Sequence, residues 1–142
     1  MTVPSQQGAM RAVLAAASLI AAGYAAAQTP TAYLGSLESA ARSTTPGFAG
    51  FSAQRGERLF KATHGGEWSC ASCHTDNPLA TGKHAKTGKS IAPLAPAANA
   101  ERFTDAAKIE KWFRRNCNDV LGRACTPVEK GDVVTWLVSL KR

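Results

Sequence analysis

Cys70-Ala71-Ser72-Cys73-His74 constrains this chain more than any other stretch, because two thiols and an imidazole at this spacing fit on a single helical turn. It is the attachment signature of a covalent haem: the thiols add across the two vinyl groups, and the adjacent imidazole reaches the iron from the same turn. Cys70 and Cys73 are therefore the expected anchors and His74 the expected proximal ligand. A thioredoxin-like redox pair needs a βαβ context that the sequence lacks, and a zinc site needs a second closely spaced ligand pair. The remaining cysteines, Cys117 and Cys125, are eight apart and serve neither purpose. The sixth iron position is the open question, since the only methionines are Met1 and Met10.

Both methionines lie in a segment with the features of a leader. Residues 1–27 hold one charge, Arg11, followed by the uncharged run of sixteen residues Ala12–Ala27, which ends in Ala25-Ala26-Ala27 before Gln28. A positive start, an apolar middle and an Ala-x-Ala end predict a secretory signal cleaved after Ala27. An uncleaved anchor is the alternative, but the run falls short of the roughly 20 residues that span a bilayer. With no cysteine in this segment, a lipoprotein anchor is excluded. The mature chain then has 115 residues, one small domain by length, and loss of Arg11 takes the net charge from +7 to +6.

That charge is spread without a dense basic run, so nucleic-acid binding gains no support. A basic rim around a haem edge suits an acidic redox partner, and scattered surface lysines are the plain alternative. Export would place the chain in a periplasm, where disulfides persist and haem is attached. There Cys117 and Cys125 read as a bridge, which the loop-entropy estimate puts at about 2–3 kcal/mol.

The chain divides into a signal peptide (1–27), an N-terminal extension (28–50) and a main domain (51–142). In the extension, Tyr33, Leu34, Leu37, Ala40 and Ala41 at helical spacing predict a short helix over 31–43, ended by Thr44-Thr45-Pro46-Gly47. Ser52 is a candidate N-cap for a helix over Ala53–Ala62, with Arg55, Glu57, Arg58 and Lys61 on its wet side and Gly56, Leu59 and Phe60 on its packed side. Glycine inside a helix costs about 1 kcal/mol against alanine, so Gly56 asks for a close-packing reason. Thr126-Pro127-Val128-Glu129 has the form of a capping box opening the last helix, on which Val133, Trp136, Leu137 and Leu140 form one stripe.

Between these, Thr104 is the expected cap of a helix from Asp105 to about Arg115, with Arg114 and Arg115 at its negative end and Ile109, Trp112 and Phe113 on its apolar face. Residues Asn77–Ala100, rich in Lys, Gly, Ala and Pro, read as loop over the macrocycle. No repeat and no strand is predicted, so the fold class is all-α.

An all-helical domain with CxxCH after its first packed helix and a capped, aromatic-bearing last helix resembles class I cytochrome c over roughly residues 52–140. The resemblance implies a class I cytochrome c-like fold around one covalently bound haem c. In that class the distal ligand is usually a Met on the loop before the last helix, which here runs Asn116–Cys125 without one. More specifically, Lys111-Trp112-Phe113-Arg114-Arg115-Asn116-Cys117 followed by Cys125-Thr126-Pro127 is similar to the sphaeroides haem protein family, over about Gly56 to Leu140. That family implies His74 proximal, Asn116 distal and a Cys117–Cys125 bridge beside the ligand. It also implies a di-haem cytochrome c and a membrane cytochrome b as redox partners.

Asn118 stays open as the distal ligand, and Asn116 has an alternative role as a helix C-cap. His64 is tied to the attachment side by its closeness to Cys70, and His84, between Lys83 and Lys86, reads as solvated loop. A lysine ligand would first have to lose its proton. Pro78 is placed as in many cytochromes c, where a nearby carbonyl takes the far proton of the proximal imidazole. Trp68, Leu79, Ile91, Leu94, Phe103, Trp112 and Phe113 are available to line the pocket, and Arg102 and Lys89 to meet propionates.

A carboxamide oxygen is a hard, neutral, weak donor, tolerable to ferric iron and poorly matched to ferrous iron. The expected function is thus an electron-accepting monohaem cytochrome that, once reduced, releases Asn116 and binds a diatomic ligand such as O2 or NO. A permanently six-coordinate electron carrier with His84 or a lysine as ligand is the alternative. A subunit docked through its N-terminal helix is a third reading. No nucleophile triad or general-base pair is visible, so any catalysis would belong to the haem.

Overall fold

Four side chains that accept backbone N–H groups decide where the long helices start. In this computed structural model, which describes residues 28–142, Thr29 caps α1 (Pro30–Thr44) and Ser52 caps α2 (Ala53–Lys61). Asp105 caps α4 (Ala106–Leu121), and Thr126 with Glu129 forms the full capping box of α5 (Pro127–Ser139). Between α2 and α4 lie the single turn α3 (Ala71–His74) and a minimal hairpin. Its strands β1 (Gly82–Lys83) and β2 (Ser90–Ile91) pair antiparallel, with Gly82 opposite Ile91. The expected signal peptide over 1–27 lies outside the described residues.

Two features of α4 differ from the sequence reading. Its cap is Asp105, whose carboxylate accepts from the Lys108 amide at 2.9 Å, while the Thr104 hydroxyl instead donates to the Glu101 carbonyl at 2.8 Å. The helix also runs on past Arg115 to Leu121, because nothing in Asn116–Leu121 breaks it until Gly122 adopts φ +67° and returns its N–H to the Asn118 carbonyl at 3.0 Å. Arg114 and Arg115 are therefore inside the helix rather than at its negative end. The hairpin is the one piece of extended pairing among the described residues, too short for alternation to announce it.

α2 and α5 cross with their backbones in contact. A methyl group on Gly56 would run into the carbonyl of Asp132, and one on Gly131 into the ring of Phe51. Asp132, 4% exposed, accepts from the Ser52 amide at 2.6 Å and from Arg55 through both carboxylate oxygens, at 2.7 and 2.9 Å. Arg55 is exposed, as its place on the wet side of α2 requires, and still reaches across to the carboxylate on α5. Phe60, Val133, Val134, Trp136 and Leu137 fill the crossing, and Tyr33 and Leu37 of α1 join the same cluster over α5.

Gly56→Ala should cost at least about 2 kcal/mol, because the new methyl meets rigid backbone rather than a side chain that can swing away. Urea unfolding of the holoprotein measures it, and a loss well under 1 kcal/mol would contradict the close crossing.

Candidate functional site

Ser69 and Ser72 hold the Cys70–His74 turn in shape before anything binds it. The Ser72 hydroxyl accepts from the Ser69 amide at 3.0 Å, and the Ser69 hydroxyl accepts from the Ser72 amide at 3.1 Å. Past the turn, Thr75 takes φ +62° with ψ 163°, an extended positive-φ conformation unusual for a β-branched residue, steadied by its hydroxyl donating to the Asn77 carbonyl at 2.7 Å. From the other side Gly82 of β1 presses on the turn, so closely that a methyl there would strike the Cys73 carbonyl. The Ala85 amide points at the Cys73 sulfur, at 3.3 Å. Ser69, Ser72, Thr75 and Gly82 were not singled out from sequence; only the Ser-x-x-Ser spacing around the motif was a usable signal.

Cys70 packs against the core, and burial pushes its thiol up to about 11. The His74 ring lies 6.3 Å from that of Phe60, and burial, then the charge of Arg102, brings the imidazole down to about 4. At neutral pH it is an uncharged ring with a lone pair to give, and among the described residues no group hydrogen-bonds it. Two free thiols and a neutral imidazole on one turn, in a chain whose other two cysteines are bonded to each other, are the donor set a covalent haem requires.

α4 sorts the two candidate asparagines onto different faces. Ile109, Phe113, Asn116 and Val120 recur at helical spacing and are all buried or half-buried. Ile109 and Phe113 belong to the cluster that Cys70 and Ala71 also pack against. Asn118 is exposed and, with Lys111, Arg114, Arg115 and Ala124, lines an open cleft on the outer side. Asn116 stands in the middle of the helix, so it is not the C-cap; Gly122 is. Trp112, on the flank of the inner face, is 45% exposed and carries the Arg115 guanidinium over its ring.

Cys117 and Cys125 form a disulfide with their Cα atoms 5.6 Å apart. The short segment it closes is pinned again by Arg123, which donates to both carboxylate oxygens of Glu129, at 2.8 and 2.7 Å.

The other sequence candidates are placed as follows. Pro78 is fully buried, and its carbonyl accepts from Leu94 and Ala95 at 2.9 and 3.0 Å, tying down the loop that follows the hairpin rather than meeting the His74 ring. Arg102 donates to the Pro93 and Ala92 carbonyls at 2.8 and 2.6 Å, so it too holds that loop. Leu94 and Phe103 pack in the core, Trp68, Leu79 and Ile91 are half-buried, and Lys89 is exposed on the hairpin. His64 is exposed, with Nε2 2.8 Å from the Leu59 carbonyl. His84 sits in the hairpin turn, where the Lys86 and Thr87 amides both donate to its Nδ1 at 3.3 Å. That leaves its proton on Nε2 and no free lone pair on the neutral ring.

With this geometry in hand, comparison with known proteins is direct. Residues 46–137 match the family model described as a domain of unknown function, DUF1924. Cytochrome c-type protein SHP of Cereibacter sphaeroides is 50% identical over 91 residues, 61% of this chain and 70% of that protein. Cytochrome c'' of Methylophilus methylotrophus is 50% identical over 82 residues, 58% of this chain and 57% of its own length. The structure of oxidised SHP, described as an oxygen-binding cytochrome c, superposes with a TM-score of 0.72 at 42% identity, covering 80% of this chain and 99% of SHP. The solution structure of cytochrome c'', presented for its insight into haem-ligand detachment, gives 0.70 at 38% identity over 80% of this chain and 94% of the other. The fold is that of these all-helical cytochromes, and sequence reading and structure agree on its class.

The Arg123 guanidinium on Glu129 holds that carboxyl below the ordinary carboxylate value. As pH falls, the unfolded chain therefore takes the proton first, so the pair contributes stability above the ordinary range and loses it as pH drops through the lower folded value. Glu129→Gln should be less stable than the parent at neutral pH, with the gap narrowing toward about pH 2. Urea midpoints across that range measure the gap; one that stays constant with pH would show that the carboxyl does not titrate as the pair requires.

Proposed function

The chain belongs to the DUF1924 family, and from that premise we propose that it is an exported monohaem c-type cytochrome with His74 and Asn116 as iron ligands, which would accept an electron and, on reduction, release Asn116 to admit a diatomic ligand such as O2 or NO. The observation that carries this reading is the place of Asn116: mid-helix, half-buried, on the α4 face that shares a core with the Cys70–His74 turn.

Cys70 and Cys73 would hold haem c through two thioethers, and His74 would supply a nitrogen ligand to its iron. Haem c brings a one-electron iron centre whose ligand preference changes with its charge. Asn116 answers that change because its carboxamide oxygen suits the ferric ion and holds the ferrous ion poorly. Trp112 and Phe113 flank Asn116 on α4 and keep the region around it apolar, while Pro78 and Arg102 secure the covering loop. The relatives support the reading: one is described as oxygen binding, and haem-ligand detachment is the subject of the other's solution structure.

Electrons would come from an acidic redox partner, a di-haem cytochrome c fed by a membrane cytochrome b, in the periplasm. Permanent six-coordination through His84 has less support, since the His84 lone pair is spent inside its own turn.

The purified holoprotein should gain the mass of one haem and lose it when Cys70 and Cys73 are both replaced by alanine. Its ferric spectrum should be low-spin, turning high-spin in Asn116→Ala and staying unchanged in Asn118→Ala; the dithionite-reduced parent should bind CO. A reduced low-spin spectrum that CO leaves untouched would reduce the function to electron carriage.

A further inference from the structure

Seven residues separate Glu110 from Cys117, the spacing that returns to the same flank of a helix, and both are tied to neighbouring helices. Cys117 is buried and bonded to Cys125, just ahead of α5. Glu110 accepts from the Tyr33 hydroxyl of α1 at 2.6 Å through one oxygen and from the Lys130 ammonium of α5 at 2.6 Å through the other. One carboxylate thus joins three helices.

The network is costly to leave incomplete. Tyr33 is 2% exposed, and its hydroxyl finds its partner 77 residues away, so without Glu110 a buried donor would be orphaned. Burial works to raise the Glu110 carboxyl, but the hydrogen bonds from Lys130 and Tyr33 outweigh it and bring its pKa below the ordinary value. Lys130 also lies over the Phe113 ring, 6.0 Å from its centroid, so the network touches the inner face of α4 directly.

A helix tied at one point can turn about its axis; two ties on one flank fix its rotation. Phe113 and Asn116 lie between these two ties in sequence, on the adjacent face. We propose that Tyr33, Glu110 and Lys130 form a positioning network that, with the disulfide, locks the rotation of α4 and so keeps the Asn116 carboxamide directed at the iron. The inference rests on the reading of Asn116 as distal ligand. It makes the N-terminal helix part of the control of the iron site, although none of its residues need touch the haem.

The test uses the ferric holoprotein well below its unfolding temperature and reads its apparent Kd for cyanide, which competes with Asn116. Tyr33→Phe keeps the ring and removes only the hydroxyl; Lys130→Met removes the tie from α5. Each should lower the apparent Kd by roughly fivefold or more, with a rise in the high-spin fraction. In an Asn116→Ala background the same changes should have no further effect, because the competitor is already gone.

If both variants lose thermal stability but bind cyanide like the parent, while Asn116→Ala binds it more tightly, the network is merely structural and the inference falls. It falls equally if the effects of Tyr33→Phe and Lys130→Met persist in the Asn116→Ala background. If Asn116→Ala leaves cyanide affinity and ferric spectrum unchanged, the ligand assignment itself fails, and the positioning role fails with it. Should Tyr33→Phe not fold, Lys130→Met decides the question alone.

Discussion

The backbone contact between α2 and α5 is the constraint on which the other placements depend. With a glycine at position 56 the two helices approach until main chain meets main chain, and the buried Asp132 then gathers Ser52 and Arg55 onto one carboxylate. A buried charge is tolerable only when so completely paired, which makes this crossing a specific one rather than a merely greasy one. From its end α2 leads, after a short connection, into the Cys70–His74 turn, with Phe60 beneath the His74 ring. From its start α5 leads back through the disulfide to α4. The attachment turn and α4, which carries Asn116, are thus both reached through the same pair of helices.

α4 shows how one helix can divide chemistry between its faces. Two asparagines two residues apart look equivalent as ligands on paper, yet helical geometry turns one inward among apolar side chains and the other outward to a solvated, basic cleft. On the reading proposed above, a weak donor is useful to a metal only where water does not compete for the same position, and the inner face would supply that shelter. The same face carries Phe113 and Val120, half-buried apolar side chains that exclude water.

What was legible in the sequence was local. The attachment pentapeptide, the caps at Ser52 and Thr126, and the packing demand of Gly56 all express themselves within a few residues, and the two caps and the close crossing at Gly56 stand as read. The end of α4 was misplaced because asparagine has a real preference for helix ends, and the resemblance put the loop before the last helix at Asn116–Cys125; the tertiary ties of Glu110 and Cys117 instead lie along a helix that continues to the glycine. Arg102, Gly82 and the Tyr33–Glu110 pair had no local signature at all. Their partners lie 8 to 77 residues away, and only the folded chain brings them together.

Thr75 gives the site a handedness of response. A branched side chain held at positive φ directly after His74 stores on the order of 1–3 kcal/mol, and the Thr75–Asn77 hydrogen bond and the close approach of Gly82 to the turn hold it there. The turn that carries His74 is thus held under tension, while α4 is a helix hung from two brackets. On the reading proposed above, a change at the metal would be answered by the Asn116 side chain on its fixed helix and not by the tensioned turn that carries His74, as a door opens from one edge only.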